Sequence, residues 1–157
     1  MANTNAPYGF KLYRQNSGLT PPLEYVTLGG TVSIGDPLVW SSGTAVIHTA
    51  AADEKIFGIA QANGVSGGQI PFIPVTENQV WVAQATTYTE ATHRGVVYEL
   101  SGTTGAVQVN VAGTTKPIVR IIDKMPPPRP GNETGAYANV LVEFVADAYG
   151  RSGTVTN

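Results

Sequence analysis

The chain has no cysteine among its 157 residues. Disulfide staples and thiolate metal sites are therefore excluded, and packing and hydrogen bonds must supply the stability, an arrangement suited to assembly in a reducing cytoplasm. Charge is scarce as well. Asp, Glu, Lys and Arg make up 13% of the chain, about half the share in an average soluble domain. Between Lys55 and Glu90 the one charged residue is Glu77. A net charge of −2 without any Lys/Arg cluster argues against a nucleic-acid binder, because neutralising phosphates takes a basic face. No apolar run approaches the ~20 residues of a spanning helix, so no membrane partner is expected. The first residues have neither the basic nor the apolar stretch of a signal peptide, and export by the general secretory route is not expected. Two explanations of the low charge stand side by side. The surface is solvated by Thr, Ser, Asn, Gln and Gly, or much of it is buried against partners, whose interface cores are poor in Lys, Glu and Asp.

Helical periodicity is the next absence. Residues 86–94 have room for one or two turns, with Thr86 or Thr87 as N-cap, Glu90 in the capping-box position and Gly95 as the stop. Residues 49–55 have room for one more. Everything else reads as strand. Val107, Val109 and Val111 alternate with Gln108 and Asn110, the period-2 pattern of a half-buried strand, and Val140, Val142 and Phe144 alternate with Leu141, Glu143 and Val145. Further strands are expected at 25–28, 31–34, 38–40, 45–48, 56–61, 69–75, 79–85, 96–100 and 117–122. Turn residues such as Gly29-Gly30, Ser42-Gly43, Asn63-Gly64 and Gly67-Gly68 separate them. Short strands punctuated at this spacing predict an all-β single domain, a compact barrel or β-sandwich. The division expected is an extended N-terminal arm over 1–12, a β domain over 13–150 and a flexible tail over 151–157. Pro126-Pro127-Pro128-Arg129-Pro130-Gly131 lies between strands. Serial prolines enforce an extended course that cannot join a sheet ladder, so this is a Pro-rich loop within the domain, either a spacer or a contact element.

The catalytic inventory is thin. His48 and His93 each stand alone, and no His, Asp or Glu cluster has metal-ligand spacing. Asp53-Glu54 are neighbours that point apart. Ser66, within Gly64-Val65-Ser66-Gly67-Gly68, is off the nucleophile-elbow pattern, and the same glycines lack the Lys-Ser/Thr of a phosphate loop. Asn132-Glu133-Thr134 matches a glycosylation sequon, which has no meaning without a secretory route. No enzyme activity, cofactor or metal is expected. Of the two tryptophans, each is read first as a core aromatic. Trp81, however, sits between Val80 and Val82 and faces away from them. If those valines are core, Trp81 stands outward on a nearly uncharged strand as a possible interface anchor.

The N-terminal Met-Ala-Asn-Thr-Asn-Ala-Pro-Tyr-Gly-Phe is uncharged and has neither helical nor strand period. Asn3, Asn5 and Pro7 favour irregular extended chain, yet the segment ends in Tyr8 and Phe10, aromatics that are costly to leave in water. It is either an end tucked on its own domain or an arm that lies on another surface, its backbone pairing with a sheet edge and its rings filling pockets. This segment, with Gly35-Asp36-Pro37, the run Asp-Glu-Lys-Ile-Phe-Gly-Ile over 53–59, Ile-Val-Arg-Ile-Ile-Asp over 118–123 and Val-Leu-Val-Glu-Phe over 140–144, resembles a family of small tailed-phage head proteins encoded beside the major capsid protein. These are capsid decoration (cement) proteins of the lambda-decoration type. The resemblance implies a β-tulip-like fold and a structural virion protein, assembled in the host cytoplasm, that sits on the capsid exterior and cements neighbouring capsomers of the expanded head. It implies the major capsid protein as partner and a homo-oligomer, with a trimer as first guess. Asn3, Asn5, Pro7, Tyr8 and Phe10 become the expected capsid contacts, with Pro126, Pro127, Pro128 and Arg129 as a secondary contact loop. The alternative is a carbohydrate- or receptor-binding β-module of a virion fibre.

Overall fold

Alternating side chains and glycine-rich turns fold here into antiparallel sheets. The computed structural model describes residues 3–16, 18–48, 55–126 and 132–145. In chain order the strands are β1 (Lys11–Gln15), β2 (Glu24–Thr27), β3 (Pro37–Ser41), β4 (Thr44–Ile47), β5 (Ile56–Ala60), β6 (Gln69–Pro74), β7 (Gln79–Gln84), β8 (Thr87–Tyr88), β9 (Val97–Ser101), β10 (Gln108–Asn110), β11 (Val119–Lys124), β12 (Gly135–Ala136) and β13 (Asn139–Phe144), with one helical turn, α1 (Glu90–His93), between β8 and β9. The fold is all-β.

Two sheets carry it, ordered β1-β7-β13-β11-β9-β10 and β2-β6-β5-β3-β4, and β8 pairs with β12 as a small third ladder. Each large sheet curls until distant strands meet at one parallel bridge, Leu28 with Ala45 in one and Ala85 with Val109 in the other. The architecture is thus a sandwich of two rolled sheets, and no barrel closes among the described residues. The main core lies between them. Trp81, Val119, Ile121, Val140, Val142 and Phe144 from the first sheet pack with Val39, Ile56, Ile59 and Ile73 from the second. Inside the roll of the second sheet Val26, Leu28, Leu38, Ala45, Ile70 and Phe72 form another core. The Ser42-Gly43 turn has φ of 49° and 82°, the left-handed pair that a two-residue hairpin needs.

The central strand β7 corrects one expectation. Trp81 is fully buried, and its ring meets Phe144 edge-on at 6.3 Å. Val80 and Val82 are buried too, on the opposite face, in a cluster with Leu141 that Tyr8, Ile122 and Met125 cover. All six residues of β7 are buried. A strand covered on both faces has no outward side, so alternation there cannot distinguish core from surface. Trp81 is not an outward anchor. Trp40 is the exposed tryptophan, 57% accessible and stacked on Phe57 at 4.2 Å.

Smaller differences have local causes. Residues 31–34 form no strand: Val32 makes one bridge to Gly64, and the chain then turns because the Asp36 carboxylate takes the Ser33 N–H. Thr87 is drawn into β8 and the Thr86 hydroxyl accepts the Val111 N–H, so neither caps the helical turn. Thr89 holds that position without a side-chain cap bond. Lys11 and Leu12, assigned from sequence to the arm, belong to β1. The expected turn over 49–55 falls largely outside the described residues, as do Asp53, Glu54 and the tail over 151–157.

Candidate docking face

The arm before β1 lies along its own domain, and one buried side chain holds its middle. Gln84, at the end of β7, accepts the Ala6 N–H through Oε1 at 3.1 Å and donates Nε2 to the Thr4 carbonyl at 2.9 Å and the Tyr137 carbonyl at 3.1 Å. Further out, Asn3 donates Nδ2 to the carbonyls of Glu133 and Ala136 at 2.7 and 2.9 Å and accepts the Glu133 N–H at 2.8 Å. The Tyr8 hydroxyl donates to Asn139 Oδ1 at 2.7 Å, with the Lys11 ammonium 4.4 Å from the Tyr8 ring centre. Phe10 is 1% exposed, its ring 5.1 Å from that of Phe144. Burying a ring of this size is worth ~1.5–3 kcal/mol, so Phe10 anchors the arm to its own core.

Where arm meets domain, two glycines touch. Gly9 and Gly35 have φ of 75° and 91°. A Cβ on Gly9 would meet the Gly35 carbonyl, and one on Gly35 would come within 2.5 Å of the Tyr8 carbonyl. That approach allows the Phe10 N–H to reach the Gly35 carbonyl at 2.8 Å. Asp36 is fully buried beside it and ties two turns together, accepting the Ser33 N–H at 2.8 Å and the Gly105 N–H at 2.9 Å. Tyr-Gly-Phe and Gly-Asp-Pro, apart in sequence, thus form one junction.

Burial pushes the Asp36 carboxyl above its ordinary 3.8, against the lowering effect of the Ser33 and Gly105 N–H groups. The folded protein holds this proton more tightly than the unfolded chain. Its contribution to stability is therefore full below about pH 3.8 and is lost as pH rises through the folded value. Asp36→Asn removes that step but sets an amide NH₂ against one of two N–H donors. It is expected to cost ~1–3 kcal/mol at neutral pH and to flatten the acid side of the stability profile, both read from urea melts between pH 3 and pH 7 (about the span of a carboxyl titration).

The base of the Pro-rich loop lands beside the arm. Asn132 donates Nδ2 to the carbonyls of Met125 and Asn139 at 3.0 and 2.9 Å and accepts the Asn139 N–H at 2.7 Å. Asn139 is thus the point where the arm (through Tyr8) and the loop (through Asn132) meet. Thr4, Asn5 and Ala6 face solvent, as does Pro126, while Pro7 is half-buried. Pro127, Pro128 and Arg129 lie outside the described residues.

Of the site residues expected from sequence, Asn3, Asn5, Pro7 and Tyr8 fall on this face with Pro126, whereas Phe10 and Trp81 sit in the core. Gln84, Asn132, Asn139 and Asp36 organise the face: Asn132 was noted in sequence only within a sequon and Asp36 only within Gly35-Asp36-Pro37, and Gln84 and Asn139 were not noted. His48 is buried beside a small cleft that Glu99 also lines, and His93 Nδ1 accepts the Thr89 N–H at 2.7 Å. Among the described residues no three His, Asp or Glu side chains are grouped as a metal site would require, and no helix is long and apolar enough to cross a membrane. No protein-family model matches the chain, and no curated protein matches it.

Proposed function

We propose that this chain is a structural virion protein that docks on the outer surface of an assembled phage capsid and cements neighbouring capsomers. The observation that carries this reading is the arm itself. Its extended course is already fixed by Gln84, Asn139 and the β12 region, and Thr4, Asn5 and Ala6 are turned outward without a charge. An arm ordered in advance loses little entropy on docking. The resemblance in sequence names the partner, the major capsid protein, and favours a homo-oligomer, first a trimer, on the exterior of the expanded head. Leu19, Leu23 and Tyr25, exposed within one short stretch, offer apolar surface for the same purpose. Binding the assembled lattice in preference to free subunits would stabilise the shell by mass action, and repeated sites would add avidity to an oligomer.

Co-sedimentation of the purified protein with expanded empty capsids tests the proposal. Saturable binding and a raised capsid melting temperature are expected, with loss of binding in a protein that starts at Pro7. That truncation keeps Tyr8, Gly9 and Phe10 and so spares the core. Unchanged affinity of the truncated protein would remove the arm from the contact, and no binding by the intact protein would end the reading. A second reading, glycan or receptor binding on a virion fibre, is favoured by one observation, the exposed Trp40 ring backed by Phe57. Glycan-array binding that Trp40→Ala abolishes would support it in place of the first.

A further inference from the structure

We infer that the outer edge of β1, over Lys11 to Arg14, accepts an extended acidic–apolar–acidic segment of a partner protein by strand addition. Identifying the partner as a capsid subunit rests on the function proposed above. The edge itself rests on the following geometry.

β1 is the outermost strand of its sheet and pairs with β7 on one side. From Lys11 to Arg14 its other edge has no strand against it among the described residues, the condition for strand addition, and at Gln15 the carbonyl is already taken by the Gly18 N–H at 3.0 Å. A bulge shapes what that edge presents. Lys11 pairs with Val82 and Leu12 with Trp81, then Tyr13 is skipped and Arg14 pairs with Val80. The bulge moves Arg14 onto the face that Lys11 occupies, and Leu12 keeps the opposite, core-facing side. Two cations therefore stand one strand repeat apart, about 7 Å, with an apolar position between them.

Neither charge is neutralised by a described carboxylate, although the Lys11 ammonium lies over the Tyr8 ring. Lys11 and Arg14 are both exposed, and neither has an ion-pair partner among the described residues. Arg94, by contrast, is held by Glu90 and Asp123, and Arg120 by Glu143. In a chain of net charge −2 this edge is locally positive, so its complement is acidic. Beside it lies a cleft of about 570 Å³ lined by Tyr8, Lys11, Leu12, Ile34 and Gln61 among others, with Ile34 more than half exposed at its margin. A strand laid on β1 places alternate residues on opposite faces. Two carboxylates would meet Lys11 and Arg14 while the residue between them points to the Leu12 side and fills the cleft.

Edge cations also serve to prevent pairing, and charge reversal separates the two roles, because glutamates block an edge as well as lysine and arginine do. The double variant Lys11→Glu, Arg14→Glu should stay folded, its melting temperature lowered by only a few degrees through loss of the Lys11–Tyr8 contact, and bind expanded capsids about tenfold more weakly or worse at low salt. Independently of capsids, a capped peptide Thr-Val-Glu-Leu-Glu-Val-Thr titrated into the intact protein should shift the amide resonances of residues 11–15 and Ile34. The same peptide with Lys-Leu-Lys at its centre should not. Either of two results overturns the inference: unchanged capsid affinity of the folded double variant, or no shifts at residues 11–15 with millimolar acidic peptide. Failure of the wild-type protein to bind capsids would instead strike the proposed function, and the peptide would still decide the edge.

Discussion

Trp81→Ala lowers the stability of this protein by ~3–5 kcal/mol, a fall of roughly 10 °C or more in melting temperature for a domain of this size. The indole is fully buried in the main core with Phe10, Val142 and Phe144 around it. Removing so large a buried side chain loses its transfer free energy and leaves a cavity, so the loss combines both terms. Trp40→Ala is the matched control. Its ring is more than half exposed, and its chief described contact is the stack on Phe57, a pairing worth ~0.5–1.5 kcal/mol. Denaturant melts followed by far-ultraviolet circular dichroism read both variants without depending on the fluorophore removed. Equal melting of the Trp81 variant and wild type would contradict the burial, and the opposite order of the two effects would restore Trp81 to the surface.

The exchange of roles between the two tryptophans marks what alternation in a sequence can carry. Val80, Trp81 and Val82 were assigned correctly to alternate faces. Which face is core depends on what covers each, and here the cover over Val80 and Val82 is Tyr8, Ile122 and Met125, from distant parts of the chain. The same reasoning explains why most strands were legible: β2 to β7, β9 to β11 and β13 fall within a residue or two of expectation, because turn residues punctuate the chain between them. β8 and β12 were not legible, since two residues have no period. The arm stood out in the sequence through Tyr8 and Phe10, but its berth did not. Asn3 bonds Glu133 and Ala136 across some 130 positions, a separation at which no local pattern speaks. Arm and Pro-rich loop were named separately as contact elements, and their meeting at Asn139 is a result of the fold.

That meeting depends on the glycine junction, and Gly35→Ala is expected to break it at a cost of ~2–5 kcal/mol, from left-handed backbone strain of ~1–2 kcal/mol together with overpacking of ~1–3 kcal/mol. The added methyl would lie 2.5 Å from the Tyr8 carbonyl and 3.3 Å from the Phe10 N and O. These are backbone atoms that cannot rotate aside, so the arm itself must move. Movement there breaks the bond from the Phe10 N–H to the Gly35 carbonyl and draws the Phe10 ring from its place against Phe144. Gly67→Ala supplies the comparison, because Gly67 has a similar φ of +84° but nothing within 4 Å of the added methyl. It should incur the backbone strain alone, and the difference between the two variants isolates the steric part. Hydrogen exchange adds a local reading: the Phe10 amide should lose protection in Gly35→Ala and keep it in Gly67→Ala. If both variants lose the same stability and Phe10 stays protected in each, the arm does not depend on close contact between Gly9 and Gly35.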